Sequence, residues 1–384
     1  MTEALEGGAL RIARDEGYCA FPVGGDTYRA CAHGCLYCFD PQMDNQNLRS
    51  ARQVTPRDYR ELFNSLYTDK DVNRFVLQLG AAVRLGICAD PFPAVESRLK
   101  VTLKALELLK QVGVGVIVTT KAPERITAEY LPLIDVVKVS FSTFSDVQAA
   151  RLEPGAPRPS ARLAAMRALK AQGVKVVARL NPYLHTETYD LDTLTGAADG
   201  VTVEPLRFSV TWRQTWPIEF WAYVLGEEPP ARGCFKRGTP EYKWAVAAEK
   251  RFFAPLQTEG EPYNDEKYHW VLTDPFKWRA IYSRLRAEAK ARGLAFGICT
   301  FGCGIHNVDL NDAPYGCAVN PALGYDRLAL VPQWHEDQWA KFRLPALEEL
   351  GSDLGLLRLI YANSWDLRPI ALDGRARSNF ETEE

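Results

Sequence analysis

Three cysteines, Cys31, Cys35 and Cys38, at C-x3-C-x2-C spacing constrain this chain more than any other feature. The segment Cys31-Ala32-His33-Gly34-Cys35-Leu36-Tyr37-Cys38 is too short and too Gly-interrupted for a regular element. It predicts a loop that wraps thiolates around one centre. Iron–sulfur clusters are held by closely spaced thiolates, usually four of them, so three leave one iron without a protein ligand. Two other readings stand beside this one. The thiols can be buried small hydrophobes, or they can form a Cys3His zinc site with His33, whose ring lies between two of them and reaches the same ion only with difficulty.

The other cysteines are Cys19, Cys88, Cys234, Cys299, Cys303 and Cys317, making an odd total of nine. The opening residues lack the apolar core of a signal peptide, and no run approaches the roughly 20 apolar residues of a membrane span. The chain therefore reads as soluble and cytoplasmic, with no membrane partner. A disulfide framework does not suit that reducing compartment. With 47% hydrophobic and 24% charged residues the composition is that of an ordinary globular protein. A net charge of −2 argues against electrostatic coating of nucleic acid, so a DNA substrate would need a local basic patch.

Past the cysteine loop, hydrophobic periodicity predicts a helix over Val54 to Leu66, an apolar segment over Phe75 to Leu79, and a strand from Val83 to Cys88. A helix over Ser97 to Val112 precedes a buried strand over Val114 to Thr120. Then come a short helix near Ala128 to Ile134, a strand over Val136 to Phe141, a helix over Ser160 to Gln172 and a strand over Val174 to Leu180. A helix near Asp192 to Ala197 and a strand over Gly200 to Leu206 complete the series. Alternation at this spacing is that of a parallel sheet. About six such units fit before residue 210, which predicts an α/β fold: a partial (β/α)6 TIM-like barrel, functional residues at its carboxyl end, and a C-terminal cysteine- and Trp-containing extension. The divisions are an N-terminal extension at 1–27, a core at 28–210, a C-terminal region at 211–369 and a polar tail at 370–384.

Beyond residue 210 the chain is rich in Trp and Pro, with Trp212, Trp216 and Phe220 at i, i+4 and i+8, an apolar stripe if helical. Such aromatics serve as core more often than as a stacking platform for an extruded base. Pro275 to Arg292 predicts a helix and Leu294 to Ile298 a strand delivering Cys299. Cys299, Cys303 and Cys317 form a C-x3-C-x13-C set that reads as a second metal site, with Cys234 or His306 as fourth ligand. Structural zinc and a second iron–sulfur cluster both fit that set.

At Cys31, Cys35 and Cys38, with Tyr37 as the aromatic, the chain resembles the radical S-adenosylmethionine (radical SAM) superfamily. Over approximately residues 28 to 210 it looks most like the spore photoproduct lyase branch. The further carriers are Cys88-Ala89-Asp90-Pro91-Phe92-Pro93-Ala94-Val95-Glu96, Thr119-Thr120-Lys121, Val139-Ser140-Phe141-Ser142, and Arg151-Leu152-Glu153-Pro154-Gly155-Ala156-Pro157 running into Arg162-Leu163 and Gly173. The resemblance implies a [4Fe-4S] cluster that binds and reductively cleaves S-adenosylmethionine, and an electron donor such as flavodoxin or ferredoxin. It also implies a thymine-type nucleobase, in DNA or as a nucleotide, as substrate. Lys121, Ser140, Ser142, Arg179 and Asn181 are then candidates for the S-adenosylmethionine carboxylate, ribose and sulfonium surroundings, with Asp90 near its amino group. Cys88 lies near the segment where photoproduct lyases carry a hydrogen-donating cysteine, although its Cys-Ala-Asp-Pro setting differs from theirs. That departure and the extra cysteine set favour modification or rearrangement of a substituted thymine, as in thymidine hypermodification of DNA, over photoproduct repair. A radical SAM peptide-modifying enzyme and a non-enzymatic metal-binding module are the other readings.

Overall fold

A computed structural model describes residues 10–12, 23–38, 82–111, 115–266 and 269–299, together with 310 and 312. The helix expected over 54–66 and the apolar segment over 75–79 lie outside them.

The strands are β1 (Leu10–Ile12), β2 (Val23–Gly25), β3 (Val83–Leu85), β4 (Val116–Thr120), β5 (Val136–Phe141), β6 (Lys175–Tyr183), β7 (Gly200–Pro205) and β8 (Ala295–Ile298). They form one sheet in sequence order. From β2 to β8 every neighbouring pair is parallel, and β1 runs antiparallel on the β2 edge. The helices are α1 (Glu96–Leu99), α2 (Val101–Gln111), α3 (Asp146–Leu152), α4 (Pro159–Ala171), α5 (Ile218–Leu225), α6 (Pro240–Phe253) and α7 (Pro275–Ala291). This is the expected α/β arrangement of a parallel sheet with helical crossovers. β8, from beyond residue 210, pairs with β7 in the same sheet.

Register explains which residues are core. Val139, Ala178, Val201 and Phe296 align across β5 to β8 and point to one face, where they join a core with Leu106 of α2, Met166 and Leu169 of α4 and Leu285 of α7. Ser140, Arg179, Thr202 and Gly297 align on the opposite face. Alternation of period two therefore divides the sheet into an apolar helix-packed face and a face that carries polar groups.

The helix expected over Ser97 to Val112 is broken at Lys100, which adopts φ 52°. Buried Glu96 causes the break. Its carboxylate accepts the N–H groups of Val101, Thr102 and Leu103 at 3.0, 3.1 and 3.0 Å, capping α2 from the preceding turn. The helices expected near 128–134 and 192–197 shorten to single 3-10 turns, Leu131–Leu133 and Leu191–Leu194. The aromatic stripe is not one helix either. Trp212 lies in the 3-10 turn Val210–Gln214, and Pro217, which cannot continue a helix, stands at the N-cap of α5. Trp216 and Phe220 are nonetheless buried, in a second core cluster that includes Cys35, Tyr37 and Phe208. No helix among the described residues is long and apolar enough to cross a membrane.

Candidate functional site

Because β2 to β8 are parallel, the residues that follow each strand collect at one edge of the sheet. Asp26 follows β2, Cys88 to Asp90 follow β3, Lys121 follows β4, Ser142 follows β5 and Cys299 follows β8. The cysteine loop also leaves from this edge, directly after β2.

Two anchors hold that loop. His33 is buried, with Nε2 2.9 Å from Asp90 Oδ2 and Nδ1 3.2 Å from the Gly155 carbonyl. Each ring nitrogen faces an oxygen, so neither is turned towards a metal, and the Cys3His zinc arrangement is not the one adopted. The second anchor is backbone. Leu36 N–H donates to the Leu152 carbonyl at 2.9 Å, and Gly155 N–H donates to the His33 carbonyl at 2.8 Å. A Cβ at Gly155 would lie 2.4 Å from the Ala32 carbonyl oxygen and 2.9 Å from that of His33. Glycine there is thus a steric requirement of the loop's seat on the Arg151-to-Pro157 segment.

Asp90 does more than meet His33. Its Oδ1 accepts from Phe92 N–H and from Thr120 Oγ1 at 2.9 and 2.8 Å, and its Oδ2 accepts Lys121 N–H at 2.6 Å. Burial alone would raise its pKa, but the His33 charge and hydrogen bond with these amides outweigh it and hold the carboxyl far below the usual range. The candidate contact to a cofactor amino group therefore sits in a carboxylate that already ties three segments together. Asp26, which belongs to none of the motifs above, does the same one strand earlier. Its Oδ1 accepts the N–H groups of Ile87, Cys88 and Ala89 at 2.8, 2.9 and 2.9 Å. Cys88 is half-buried on that turn.

Beneath the loop lies a buried polar cluster. Glu153 accepts from Tyr37 Oη, from Ser142 Oγ at 2.8 Å and from Arg162, with Lys121 Nζ 4.0 Å away. Arg162 is fully buried and also donates to the Pro157 and Ser140 carbonyls, each at 2.8 Å. Burial disfavours the Glu153 charge, yet Lys121 and Arg162 prevail and lower its pKa. Lys121 Nζ further stands 5.5 Å from the Tyr37 ring centroid, within cation–π range. Three candidates, Tyr37, Lys121 and Ser142, are thereby brought together around Glu153. Ser140 lends its backbone carbonyl. Glu153 and Arg162 were visible only as letters of a motif.

Arg179 and Asn181 lie further along the edge, on β6. Arg179 pairs with Glu204 of β7, which also accepts from Arg207 at 3.3 Å and from the Cys299 thiol. Burial opposes the Glu204 charge, but the two guanidiniums dominate and bring its pKa down to about 2. Cys234 donates its thiol to the Thr215 carbonyl at 2.8 Å. Cys303, Cys317 and His306 lie outside the described residues.

Among the described residues no three His, Cys, Asp or Glu side chains are gathered as ligands of a single ion would be. A cluster binds each thiolate at a different iron, a wider arrangement than that of one ion. The donor chemistry of the loop fits such a cluster. Burial pushes the Cys35 thiol up to about 12, with Lys121 opposing and Glu153 reinforcing. Burial and then Asp90 raise Cys31 as well. Thiols in this setting become thiolates when a cationic metal centre supplies the compensating charge.

No family model matches the chain, and no curated protein matches it. Among solved structures, spore photoproduct lyase complexed with dinucleoside spore photoproduct is similar at 12% identity and TM-score 0.49, over 77% of this chain and 80% of that one. Streptococcus suis SuiB bound to S-adenosylmethionine is similar at 10% identity and TM-score 0.39, over 71% of this chain. The chain spans about half the length of SuiB, 48%.

Proposed function

We propose that this protein is a radical SAM enzyme that abstracts hydrogen from a thymine-type base and modifies or rearranges it. The observation that carries the reading is the mounting of the C-x3-C-x2-C loop at the carboxyl edge of a parallel sheet, fixed by His33–Asp90 on one side and by Gly155 and Glu153 on the other. Cys31, Cys35 and Cys38 would hold the [4Fe-4S] cluster. The cluster, when bound, supplies the electron that cleaves S-adenosylmethionine to a 5′-deoxyadenosyl radical.

This chain's own residues provide the setting. Lys121 offers a cation for a carboxylate, and Ser140 near the end of β5 and Ser142 just after it offer hydroxyls for a ribose, with Tyr37 of the cysteine loop joined to Ser142 through Glu153. Glu153 restrains Tyr37, Ser142 and Lys121 together, a rigid arrangement of the kind needed to aim a reactive species at one C–H bond. The half-buried Cys88 stands on the same edge as a hydrogen-atom donor to the product. The thymine-type substrate is supported by the sequence resemblance of residues 28 to 210. Cys299, with Cys303 and Cys317, remains the candidate second metal site. One cluster's worth of iron and no zinc in anaerobically purified protein would remove it.

The test of the reaction is anaerobic reconstitution followed by incubation with methyl-deuterated thymidine, its nucleotides and DNA. Deuterium is expected in 5′-deoxyadenosine. Deuterium appearing only from labelled peptides would transfer the substrate to that class.

A further inference from the structure

The segment between α5 and α6 carries charge that no contact described above uses. From Arg232 to Lys243 there are four cations, Arg232, Lys236, Arg237 and Lys243, against the single acid Glu241. Glu219 of α5, whose Oε2 accepts Gly233 N–H at 2.8 Å, offsets one more. Two positive charges are left over, in a chain whose net charge is −2. All four cationic residues are exposed, and none forms a salt bridge among the described residues. The cations further along α6 are used differently, since Arg251 pairs with Glu227 and Lys250 Nζ lies 5.6 Å from the Tyr263 ring centroid. Like charges gathered without counter-charges repel one another, and a bound polyanion relieves that repulsion.

Position ties this surface to the cysteine loop. The Gly233 carbonyl accepts Ile218 N–H at 2.9 Å and the Cys234 thiol donates to the Thr215 carbonyl at 2.8 Å, which pins the segment to the start of α5. Two residues after Ile218, the Phe220 ring meets Tyr37 edge-on, with 6.4 Å between centroids. Phe235 and Trp244 are half-buried, and each rests on the core cluster that holds Cys35 and Tyr37. With half-buried Tyr242, they alternate in sequence with the cations. Interleaved cations and aromatics suit a nucleic-acid strand, whose phosphates meet the charges and whose bases meet the rings.

We propose that Arg232, Lys236, Arg237 and Lys243 bind the sugar–phosphate backbone of DNA beside the base presented to the cysteine loop, with Phe235 and Trp244 as stacking faces for neighbouring bases. The proposal rests on the reading of a thymine-type base as substrate, and it selects DNA over a free nucleotide. An acidic polypeptide would use the charges but not the rings.

Fluorescence anisotropy of a labelled, thymidine-containing single strand titrated with the full chain, over a series of salt concentrations, tests the surface without radical chemistry. Affinity is expected to fall with salt at a log–log slope of about −3, as four phosphate contacts require. Lys236→Gln combined with Arg237→Gln is expected to make that slope shallower by about 1–2 and to melt no earlier than the parent. Phe235→Leu is expected to weaken binding about tenfold with the slope unchanged. No binding at low salt, an unchanged slope in the double variant, unchanged affinity in Phe235→Leu, or displacement of the DNA by polyglutamate at equal negative charge would overturn the proposal. Cleavage of S-adenosylmethionine, expected to be equal in the parent and the double variant, reports separately on the radical reading.

Discussion

His33 Nε2 and Asp90 Oδ2 lie 2.9 Å apart in the buried interior, joining the middle of the cysteine loop to the segment that follows β3. Truncating one partner of a buried ionic hydrogen bond leaves the other without compensation, at a typical cost of about 3–5 kcal/mol. His33→Ala is expected to lower the urea midpoint accordingly and to reduce the iron retained after reconstitution. Asp90→Asn, which keeps the shape but not the charge, is expected to fall between that variant and the parent. Unchanged iron retention in His33→Ala would show that the loop is held by other means.

Gly155 makes the same point by steric exclusion. A methyl group there meets backbone carbonyls of Ala32 and His33, which cannot swing aside as a flexible side chain would. Gly155→Ala is expected to displace the cysteine loop, destabilising the protein by about 1–3 kcal/mol and weakening iron–sulfur absorption. Thermal melts and visible spectra of matched reconstitutions check both effects, and parent-like spectra would contradict the seat described for the loop.

The Glu153 cluster invites a comparison of two substitutions. Glu153→Gln retains a partner for Tyr37 and Ser142 but leaves buried Arg162 without its counter-charge, so a loss of about 3 kcal/mol or more is expected. Glu153→Gln combined with Arg162→Met removes both charges and is expected to recover part of that loss. A double variant no more stable than the single one would mean that the pair is not coupled. Chemical denaturation followed by tryptophan fluorescence reads all three proteins.

These contacts also set the response to acid. Glu204 falls from an ordinary 4.5 to about 2 in the folded protein, and Asp90 and Glu153 are lowered too. A lowered carboxylate contributes stability above its unfolded pKa and loses it as pH falls through its folded one. Half-buried His185 acts with the same sign. Burial lowers it from 6.5 to about 4, so its neutral ring, 4.4 Å from that of Phe252, stabilises above 6.5 and ceases to as pH drops towards 4. Urea midpoints are expected to fall between pH 6.5 and 4 through His185, and more steeply between 4.5 and 2 through the carboxylates. His185→Phe should flatten the upper limb and Glu204→Gln the lower. A midpoint constant from pH 7 to 3 would contradict these assignments.

Much of the fold was legible because strands buried on both faces read as Val- and Ile-rich runs, and Val136 to Phe141 matches its strand residue for residue. The cysteine loop was legible because spacing alone carries its chemistry. Legibility failed where one side chain redirects the backbone from a distance. Nothing near Glu96 in sequence announces that its carboxylate will cap α2 and break the helix at Lys100. The Trp212, Trp216 and Phe220 spacing suggested a helix, although Pro217 between them already forbade a continuous one. Asp26, Glu153, Arg162, Glu204 and Arg207 act through partners brought near by strand order, and a linear pattern does not disclose such partners. The signal available for Glu204 was its position as a lone acid closing the buried run Val201-Thr202-Val203.

The most direct measurement is 5′-deoxyadenosine formed from S-adenosylmethionine by the full chain, reconstituted with iron and sulfide without oxygen and supplied with a strong reductant. Its companion is the same assay on Cys35→Ala, with iron and zinc counted in both proteins. The parent is expected to carry iron with [4Fe-4S] absorption and to release 5′-deoxyadenosine, and Cys35→Ala to lose that cluster and the product together. Intact S-adenosylmethionine in the parent, or zinc in place of iron with no dependence on Cys35, would contradict the account.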